Sequence, residues 1–470
     1  MGVHTGGYLI AGARLLDGTG AAPADGVSVL VEGNRIRRIG PDAEIAAAAE
    51  TLGGYEVIDA AGRTVMPGMI DGHCHISYGD ILSFEELDLY AGVEYRTLRA
   101  ANNARKVLRA GVTAFSDPGS TWNISVAVRD AVNAGLIEGP RMASAGRYIT
   151  TYNAIGSPWP SWMEHPKSSF AVLCNTRDEM VTEVRREIKD GVDIVKVAGD
   201  GDVLTGEAEL AGSIGLDDLR AIAEVTHRLG KVCTIHARSG RAAADAIRAG
   251  FDWIIHGSYM SDEDLDVLFR NPTPLIPTFS LLANTLDWGP DLGCSDFILD
   301  AYKDEVERLA AVVARAHAEG ITIIAGTDSG QGSVPYGEWH AREMEHLMTY
   351  GGLSAMEAIR AGTANAALTL GMEDEIGTLE EGKLADILVV NGDPLADIAV
   401  LQDRSRLEVV MKDGAVIDTD APIPEPAPYN WEKPMLYWQD PRMPTQAFVR
   451  EHAASKPGWM QRERRLDAAE

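Results

Sequence analysis

Six residues of this 470-residue chain have side chains that bind divalent metal ions or transfer protons, and each follows or interrupts a short apolar run. His73 and His75 are separated by one residue, so both side chains point to the same face of an extended strand. The others, from later apolar runs, are Lys196, His236, His256 and Asp328. Imidazole nitrogens and a carboxylate are good ligands for Zn²⁺ and similar ions. One histidine pair is weak evidence, but five such ligands after four different runs predict a metal site, whereas core histidines bonded to backbone would not recur at strand ends.

Lys196 lies inside DIVKVAG, residues 193–199, which has the composition of a buried strand. An ammonium group is expensive in that environment unless it is paired or neutral. Metal ions nearby would repel the charged form, so the amine must be held neutral. A neutral amine can add CO₂ and become a carbamate, whose two oxygens can bridge two metals. The alternative is a lysine paired with a buried acid, for which Asp200 and Asp202 are close in sequence.

The elements that must position these residues are short apolar strands alternating with longer helical stretches, a pattern typical of a parallel α/β sheet. The eight strand candidates are TVMPGMIDGHCHI, GVTAFSDPG, RMASAGRYIT, DIVKVAGDG, KVCTIHARS, DWIIHGSY, PLIPTFS and ITIIAGTDSG. Amphipathic stretches such as LDDLRAIAEVTHRLG and RAAADAIRAG lie between them and end in glycine, a common helix stop. Eight such units predict a (β/α)8 TIM-like barrel with its active site at the carboxyl ends of the strands.

The two ends of the chain have a different pattern of residue types from the middle. Residues 1–65 and 376–420 contain short Val-, Ile- and Leu-rich runs broken by turn residues, and we expect them to combine into one small β-sandwich. The barrel then spans residues 66–375. Residues 421–470 begin with a Pro- and Trp-rich stretch and are expected to form a C-terminal arm that covers its own subunit or a neighbour.

The composition is that of a globular protein, with 45% hydrophobic and 24% charged residues. A formal net charge of −28 argues against nucleic acid or an anionic membrane as a partner of the bulk surface. No apolar run approaches the ~20 residues of a membrane span, and the N-terminus has no signal-peptide pattern. We therefore expect a cytoplasmic protein, forming a homo-oligomer, whose partner is a small-molecule substrate.

The combined motifs resemble the amidohydrolase superfamily, specifically its two-metal members with a carboxylated lysine. The matching segments are PGMIDGHCHI, DIVKVAG, CTIHARSG, WIIHGS and AGTDSG, within a resemblance that covers roughly residues 8–418. It implies that the first two histidines and Asp328 hold one metal, that His236 and His256 hold another, and that carboxylated Lys196 bridges them. Two Zn²⁺ ions are the expected cofactors; Mn²⁺, Co²⁺ or Fe²⁺, and a one-metal site, remain open.

Within the superfamily the chain is most similar to the imidazolonepropionase-like branch, which includes dipeptidases and the phenylurea and molinate hydrolases. Dipeptidase-like members usually carry a Gly-Gly-His-Gly type of turn after the third strand, where this chain has YITTYNAIGSPWPSW. Many relatives have His-Ala-His after the fifth strand, where Arg238 stands here in place of the last histidine. These differences favour an aryl-urea, carbamate, thiocarbamate or anilide substrate. The alternatives are a dipeptidase for Xaa-Arg or Xaa-Lys, or an N-acyl amino acid hydrolase, in which Arg238 would bind the substrate carboxylate. A non-catalytic member would lack ligands, and none is missing.

The resemblance also implies a hydrolytic mechanism, in which a divalent ion lowers the pKa of bound water to give a hydroxide nucleophile. Asp328 is expected to accept that proton and pass it to the leaving amine. Mostly aromatic residues in the predicted loops would form the substrate pocket, as suits an apolar or aryl group. The predicted pocket residues are Trp122, Tyr148, Tyr152, Trp159, Arg238, Tyr259 and Tyr336. His340 and His346 are expected at the surface or behind the ligands.

Overall fold

The computed structural model describes residues 7–52, 54–201, 211–424 and 443–453, in which helices and strands alternate along most of the chain. The strands are β1 (Gly7–Leu15), β2 (Ala24–Glu32), β3 (Arg35–Pro41), β4 (Tyr55–Asp59), β5 (Thr64–Pro67), β6 (Met69–Asp71), β7 (Val112–Asp117), β8 (Arg141–Ser144), β9 (Tyr148–Thr150), β10 (Ala171–Leu173), β11 (Ile194–Ala198), β12 (Val232–Ser239), β13 (Trp253–Tyr259), β14 (Leu275–Ile276), β15 (Ile387–Val390), β16 (Leu407–Lys412) and β17 (Ala415–Val416). The helices are α1 (Asp42–Ala49), α2 (Phe84–Asp88), α3 (Val93–Arg109), α4 (Ile124–Asn133), α5 (Arg177–Lys189), α6 (Leu216–Arg228), α7 (Gly240–Ala249), α8 (Asp262–Arg270), α9 (Phe279–Leu292), α10 (Asp296–Ala318), α11 (Arg342–Thr349), α12 (Ala355–Ala361) and α13 (Gln446–Phe448). None of the helices in these ranges combines the length and apolar character that crossing a bilayer requires.

Strands from both ends of the chain form one eight-stranded sheet in the order β17-β16-β15-β5-β1-β2-β3, with β4 paired to β1. The junction between the two ends is the antiparallel pair of β15 and β5, in which Leu388 lies opposite Met66. One buried cluster of this sheet joins apolar residues of early strands, such as Ile10 and Val29, with Val389 and Met411 from late strands. The N- and C-terminal segments therefore stabilise each other.

The middle of the chain forms two parallel sheets, β6-β7-β8 and β10-β9-β11-β12-β13-β14. Backbone hydrogen bonds connect these sheets and the segment that follows α10. The N–H of Asp193 donates to Ser144 O at 2.8 Å, and the N–H of Leu275 donates to Thr322 O at 2.9 Å. The N–H of Gly72 donates to Ala325 O at 2.8 Å, which links the segment ITIIAGTDSG, residues 321–330, to the end of β6. Apart from β10, which pairs with the outer side of β9, the strands follow one another in chain order, so the carboxyl ends of β6, β11, β12 and β13 meet on one side.

Local sequence signals explain the helix boundaries around these strands. The predicted stretch LDDLRAIAEVTHRLG contains α6, and RAAADAIRAG contains α7, which ends where Gly250 adopts a left-handed φ of 89°. α5 begins with a capping box between Thr176 and Glu179, and α12 begins with one between Ser354 and Glu357. These caps satisfy amide groups that the first helical turn leaves without partners.

Three of the eight predicted strands differ from what the structure contains. TVMPGMIDGHCHI is divided between β5, in the sheet of the chain ends, and β6, in a parallel sheet. RMASAGRYIT is divided into β8 and β9. ITIIAGTDSG forms no regular strand; Ile323 makes an isolated bridge to Leu275. The N–H of Ala325 donates instead to Ala361 O at the end of α12, at 3.0 Å. Apolar composition predicted each of these runs as one strand. In the structure the runs are divided or irregular because different parts of a run hydrogen-bond to different elements.

Gly326, in this irregular segment, packs closely on Ile276 of β14 and on His73, which follows β6. A Cβ atom there would lie 2.5 Å from Ile276 Cγ2 and 2.7 and 2.9 Å from His73 Cβ and N. We expect Gly326→Ala to lower the free energy of unfolding by about 1–3 kcal/mol, as overpacking does, and to displace His73. Denaturant unfolding and bound-metal analysis would measure both effects. Gly40→Ala is the control, since its Cβ would meet nothing closer than Ile45 Cδ1 at 3.4 Å; equal behaviour of the two variants would contradict the prediction.

Candidate metal centre

The predicted ligand residues lie together at the carboxyl ends of the parallel strands. His73 and His75 follow β6 and turn inward, and their Nε2 atoms are 3.0 Å apart. Asp328 Oδ1 is 3.1 Å from His75 Nε2 and 3.6 Å from His73 Nε2. All three side chains are buried, and their donor atoms are close enough together to hold one metal ion.

His236 on β12 and His256 on β13 extend this cluster on neighbouring strands. Their ring centroids are 4.6 Å apart, and the His256 ring is 5.6 Å from that of His73. His236 Nε2 also lies 3.1 Å from the backbone oxygen of Gly201. The structure therefore gathers all four predicted histidines and the predicted aspartate in one buried group.

Lys196, in the centre of β11, is fully buried, and its Nζ atom lies 5.4 Å from the centre of the Tyr148 ring. Within the described part of the chain, no hydrogen-bond partner reaches Nζ. Burial lowers the pKa of Lys196 to about 7, although the Asp328 carboxylate acts to raise it. Burial thus favours the neutral form of the amine, which is the form that adds CO₂.

The alternative prediction, a pair between Lys196 and Asp200, is wrong. Asp200 instead accepts the backbone N–H groups of Arg238 and Ser239, at 3.0 and 2.7 Å. Burial raises the pKa of Asp200 to about 7 despite these hydrogen bonds. Asp202, the other acid considered, lies outside the described residues.

Two of the candidate ligands have a backbone conformation that non-glycine residues rarely adopt. His256 has φ 76° and Asp328 has φ 61°. Such strain persists where surrounding contacts determine the conformation, and it concentrates at functional sites. At Asp328 the constraint is a 2.7 Å hydrogen bond from its N–H to His73 O.

The charges in the cluster fit a bound cation. Burial lowers the pKa values of His73, His236 and His256 well below the ordinary value, so these imidazoles are neutral ligands. Burial also acts to lower the pKa of His75, but hydrogen bonds to Asp117 and Asp328 raise it to about 9. Neutral imidazoles beside a carboxylate form a donor set for Zn²⁺ and related ions, and the unpaired Lys196 amine completes the group as a potential ligand.

Hydrogen bonds behind the ligands fix their orientation. His75 Nδ1 lies 2.8 Å from Gly119 O, which leaves Nε2 facing the cluster. Asp71 accepts the N–H groups of His73 and Thr327, each at 3.0 Å. Its other oxygen lies 2.7 Å from His340 Nδ1. The sequence interpretation missed Asp71; its place two residues before the first histidine was the available signal.

A cavity of about 510 Å³ of empty volume opens onto this cluster. Its apolar lining residues are Tyr78, Ile81, Phe84, Leu87, Tyr148, Ile155, Phe170 and Leu281. Polar groups come from the candidate ligands, Arg238 and Gln331. Small-molecule sites are typically lined in this way, by apolar side chains together with a few placed polar groups.

Of the seven predicted pocket residues, Tyr148 and Arg238 line this cavity. The other five do not: Trp122, Tyr152, Trp159, Tyr259 and Tyr336. The Trp159 indole N–H donates to Asp88 at 3.0 Å, Tyr152 is half exposed to solvent, and the Tyr336 hydroxyl donates to His75 O. These residues were predicted from composition, which does not fix the direction of a side chain. The described lining residues that were missed are Tyr78, Ile81, Phe84, Leu87, Ile155, Phe170, Leu281 and Gln331.

Arg238 is neutralised by an acid from a distant helix. Its guanidinium donates to Glu305 of α10, and Ser258 Oγ donates to the same carboxylate at 2.7 Å. Arg238 and Glu305 are both almost fully buried, at 2% and 0% exposed. The cation at the cavity wall therefore already has a counter-charge.

A second cluster of ligand-type residues lies at the opposite end of the same strands. His227 Nε2 is 2.9 Å from Asp252 Oδ2 and 3.9 Å from Cys233 Sγ. His227 is exposed, and Asp252 also accepts the N–H of Cys233 at 2.7 Å. This arrangement is accounted for as an ion pair that caps the start of β12.

Comparisons with known proteins identify the family of this chain. The model of the amidohydrolase family matches residues 64–417, most of the chain. The chain belongs to the amidohydrolase family. It is a hydrolase acting on carbon–nitrogen bonds, and the family prediction is confirmed. Among curated relatives, the ochratoxinase of Aspergillus niger is 25% identical over 382 residues, covering 74% of this chain and 75% of the relative. The imidazolonepropionase of Symbiobacterium thermophilum is 26% identical over 407 residues, covering 81% and 86%.

Solved structures of related proteins cover most of this amidohydrolase. A putative prolidase from Bifidobacterium longum is 30% identical, with a TM-score of 0.74, covering 88% of this chain and 95% of that one. Molinate hydrolase and phenylurea hydrolase B have TM-scores of 0.74 and 0.71, covering 91% and 88% of this chain and 99% and 97% of theirs. Each of the latter two is 22% identical to this chain, which shows a shared fold alone. These amidohydrolase-fold neighbours imply a TIM-like barrel for the parallel strands.

Lys196→Ala removes the one candidate ligand that needs chemical modification. We expect this variant to lose bound metal and activity, because the cluster of candidate ligands then lacks the buried amine that can become a carbamate. Metal content after dialysis measures the loss, and short carboxylic acids are expected to restore part of the activity. Lys231→Ala, at the other end of β12, is the control; full metal content in Lys196→Ala would contradict the prediction.

Proposed function

We propose that this amidohydrolase cleaves the carbon–nitrogen bond of a neutral, largely apolar substrate: an aryl urea, a carbamate or an anilide. Thiocarbamates, whose C–S bond breaks by the same steps, belong to this class. The observation that carries the proposal is the apolar cavity above the metal-ligand cluster. Apart from histidine, Arg238 is the one cationic residue among its described lining residues, and Glu305 already binds it.

The proposal also specifies which residues hold the metal ions and how the sheets close. In it, His73, His75 and Asp328 would hold one divalent ion, His236 and His256 would hold a second, and Lys196, as a carbamate, would supply further oxygen ligands. Zn²⁺ is the proposed metal, because neutral imidazoles and carboxylates are its usual ligands. The parallel strands close as a (β/α)8 barrel, and the sheet of the chain ends folds as a β-sandwich.

The residues of the cavity have separate tasks in the proposed reaction. A bound divalent ion would supply Lewis acidity and make a coordinated water more acidic. Asp328 accepts the proton of the water that attacks the carbonyl carbon and returns it to the leaving nitrogen as the C–N bond breaks. The Tyr148 hydroxyl, 3.0 Å from His75 Nε2, is positioned to donate a hydrogen bond to the substrate carbonyl oxygen.

The cavity walls favour an aromatic substituent on the substrate. Phe84 and Phe170 stack with ring centroids 6.1 Å apart, and Tyr148 meets Phe170 edge to face at 5.5 Å. Burying an aryl ring among them contributes about 1.5–3 kcal/mol. A substrate carboxylate would instead have to displace Glu305 from Arg238 or remain unpaired in a buried site, which is unfavourable.

A dipeptidase is the second candidate, and the similarity to the putative prolidase favours it. In that case Arg238 would exchange Glu305 for the carboxylate of the substrate. Such an exchange needs a rearrangement of α10 or of the Glu305 side chain, because both partners are buried.

Hydrolysis by metal-loaded protein distinguishes the two candidates. We expect kcat/KM for N-aryl ureas, carbamates and anilides to exceed that for Xaa-Arg, Xaa-Lys and Xaa-Pro dipeptides and N-acyl amino acids. Free dipeptides outperforming the neutral substrates by tenfold or more would overturn the proposal in favour of the dipeptidase. Glu305→Gln is the diagnostic variant: freeing Arg238 should improve anionic substrates relative to neutral ones.

Asp328→Asn separates proton transfer from metal binding, because the amide keeps one oxygen and loses the basic carboxylate. We expect kcat to fall by about 10²–10⁴-fold, as for the loss of a general acid–base group. Steady-state kinetics at matched metal content provide the measurement. Asp252→Asn, which alters a carboxylate at the other end of β13, is the control. Nearly normal kcat in Asp328→Asn with metal retained would exclude Asp328 as the proton carrier.

A further inference from the structure

Thr278 has the least favourable backbone conformation for its residue type near the metal centre. It lies two residues after the end of β14, immediately precedes α9, and has φ 64° and ψ 59°. β-branched residues very rarely adopt this left-handed conformation, because the side chain crowds the backbone. Thr278 is also buried, at 1% exposed. A glycine would relieve the strain, so the presence of threonine calls for a role of its side chain.

Glu343 of α11 holds the backbone next to Thr278 in place. Its carboxylate accepts the N–H groups of Phe279 and Ser280, at 2.9 and 2.7 Å, and the Ser280 hydroxyl at 2.6 Å. Glu343 is fully buried, so these hydrogen bonds have no competition from water. They satisfy the first amides of α9, whose N-cap residue makes no capping hydrogen bond with its own side chain.

The side chain that is freed from capping reaches the metal centre instead. Thr278 Oγ1 lies 3.0 Å from His73 Nδ1. The opposite ring nitrogen of His73, Nε2, faces His75 and Asp328, at 3.0 and 3.6 Å. A proton on Nδ1, donated to the hydroxyl, leaves the Nε2 lone pair directed at the cluster.

We infer that Thr278 is a positioning residue that fixes the tautomer and the ring orientation of His73 for metal binding, with Glu343 maintaining the strained backbone. The inference rests on the metal centre of the proposed function and adds to it a residue that touches neither substrate nor metal. Groups that orient a histidine ligand in this way typically contribute 10–100-fold to metal affinity.

Three substitutions at Thr278 separate the hydroxyl from the backbone. Thr278→Ser keeps the hydroxyl and should bind Zn²⁺ or Co²⁺ as the wild type does. Thr278→Val keeps the shape and the strain but loses the hydroxyl, and we expect its dissociation constant for the metal to rise about 10–100-fold. Thr278→Gly loses the hydroxyl and relieves the strain, so it should bind metal as weakly as Thr278→Val while the metal-free protein is equally or more stable to denaturant than the wild type. A purely structural role would not weaken binding while stability is kept.

Competition with a chelator of known affinity measures the metal dissociation constants, and denaturant unfolding of the metal-free proteins measures stability. Thr285→Val is the matched control: this buried threonine of the same helix donates to Leu281 O at 2.8 Å and is expected to bind metal normally. If Thr278→Val and the wild type bind metal equally, the inference is overturned while the proposed metal centre stands. If the wild type binds no divalent ion, both are overturned.

Discussion

The burial of a carboxylate, four imidazoles and a lysine amine within one small volume is the constraint on which this structure depends. Every charged or polar group there has lost its water, and each must find a partner or become neutral. Three imidazoles are neutral because burial lowers their pKa values. Asp328 remains ionised because His73 and His75 lie against it and hold its pKa below the ordinary value, although burial alone would raise it. A divalent cation would satisfy the same carboxylate and the same lone pairs together.

Hydrogen bonds from the surrounding elements keep these groups close, although burying them together is unfavourable. Asp71, the last residue of β6, connects this strand to the irregular segment 321–330, because it accepts the N–H groups of both His73 and Thr327. Glu343 ties α11 to the beginning of α9. Three non-glycine residues in the site, Thr278 among them, have left-handed backbones. At Thr278 and Asp328, hydrogen bonds of the adjoining backbone hold that conformation. The strain is local, and the packed parallel strands and their covering helices supply the stability that tolerates it.

Buried charges are also paired at the wall of the substrate cavity. Arg238 lines this cavity, and a buried arginine without a counter-charge would destabilise the fold strongly. Glu305 supplies that counter-charge from α10, and Ser258 adds a hydrogen bond to it. The pair leaves the cavity with mostly apolar walls and little attraction for an anion.

The sequence by itself determined which residues form the cluster of candidate ligands, because each is marked by local signals: an apolar strand core, a polar residue at its end, and the spacing of His73 and His75. The same logic selected Lys196, since a lysine within a buried strand is conspicuous in one dimension. Only the tertiary structure decided which groups support and line the site. Glu305 meets Arg238 from 67 residues away and Thr278 meets His73 from 205 residues away, and no local pattern relates them. Aromatic composition likewise selected loop residues of which most turn away from the cavity, because the direction of a loop side chain depends on packing between elements, whereas the direction of a strand side chain follows from its alternation along the backbone.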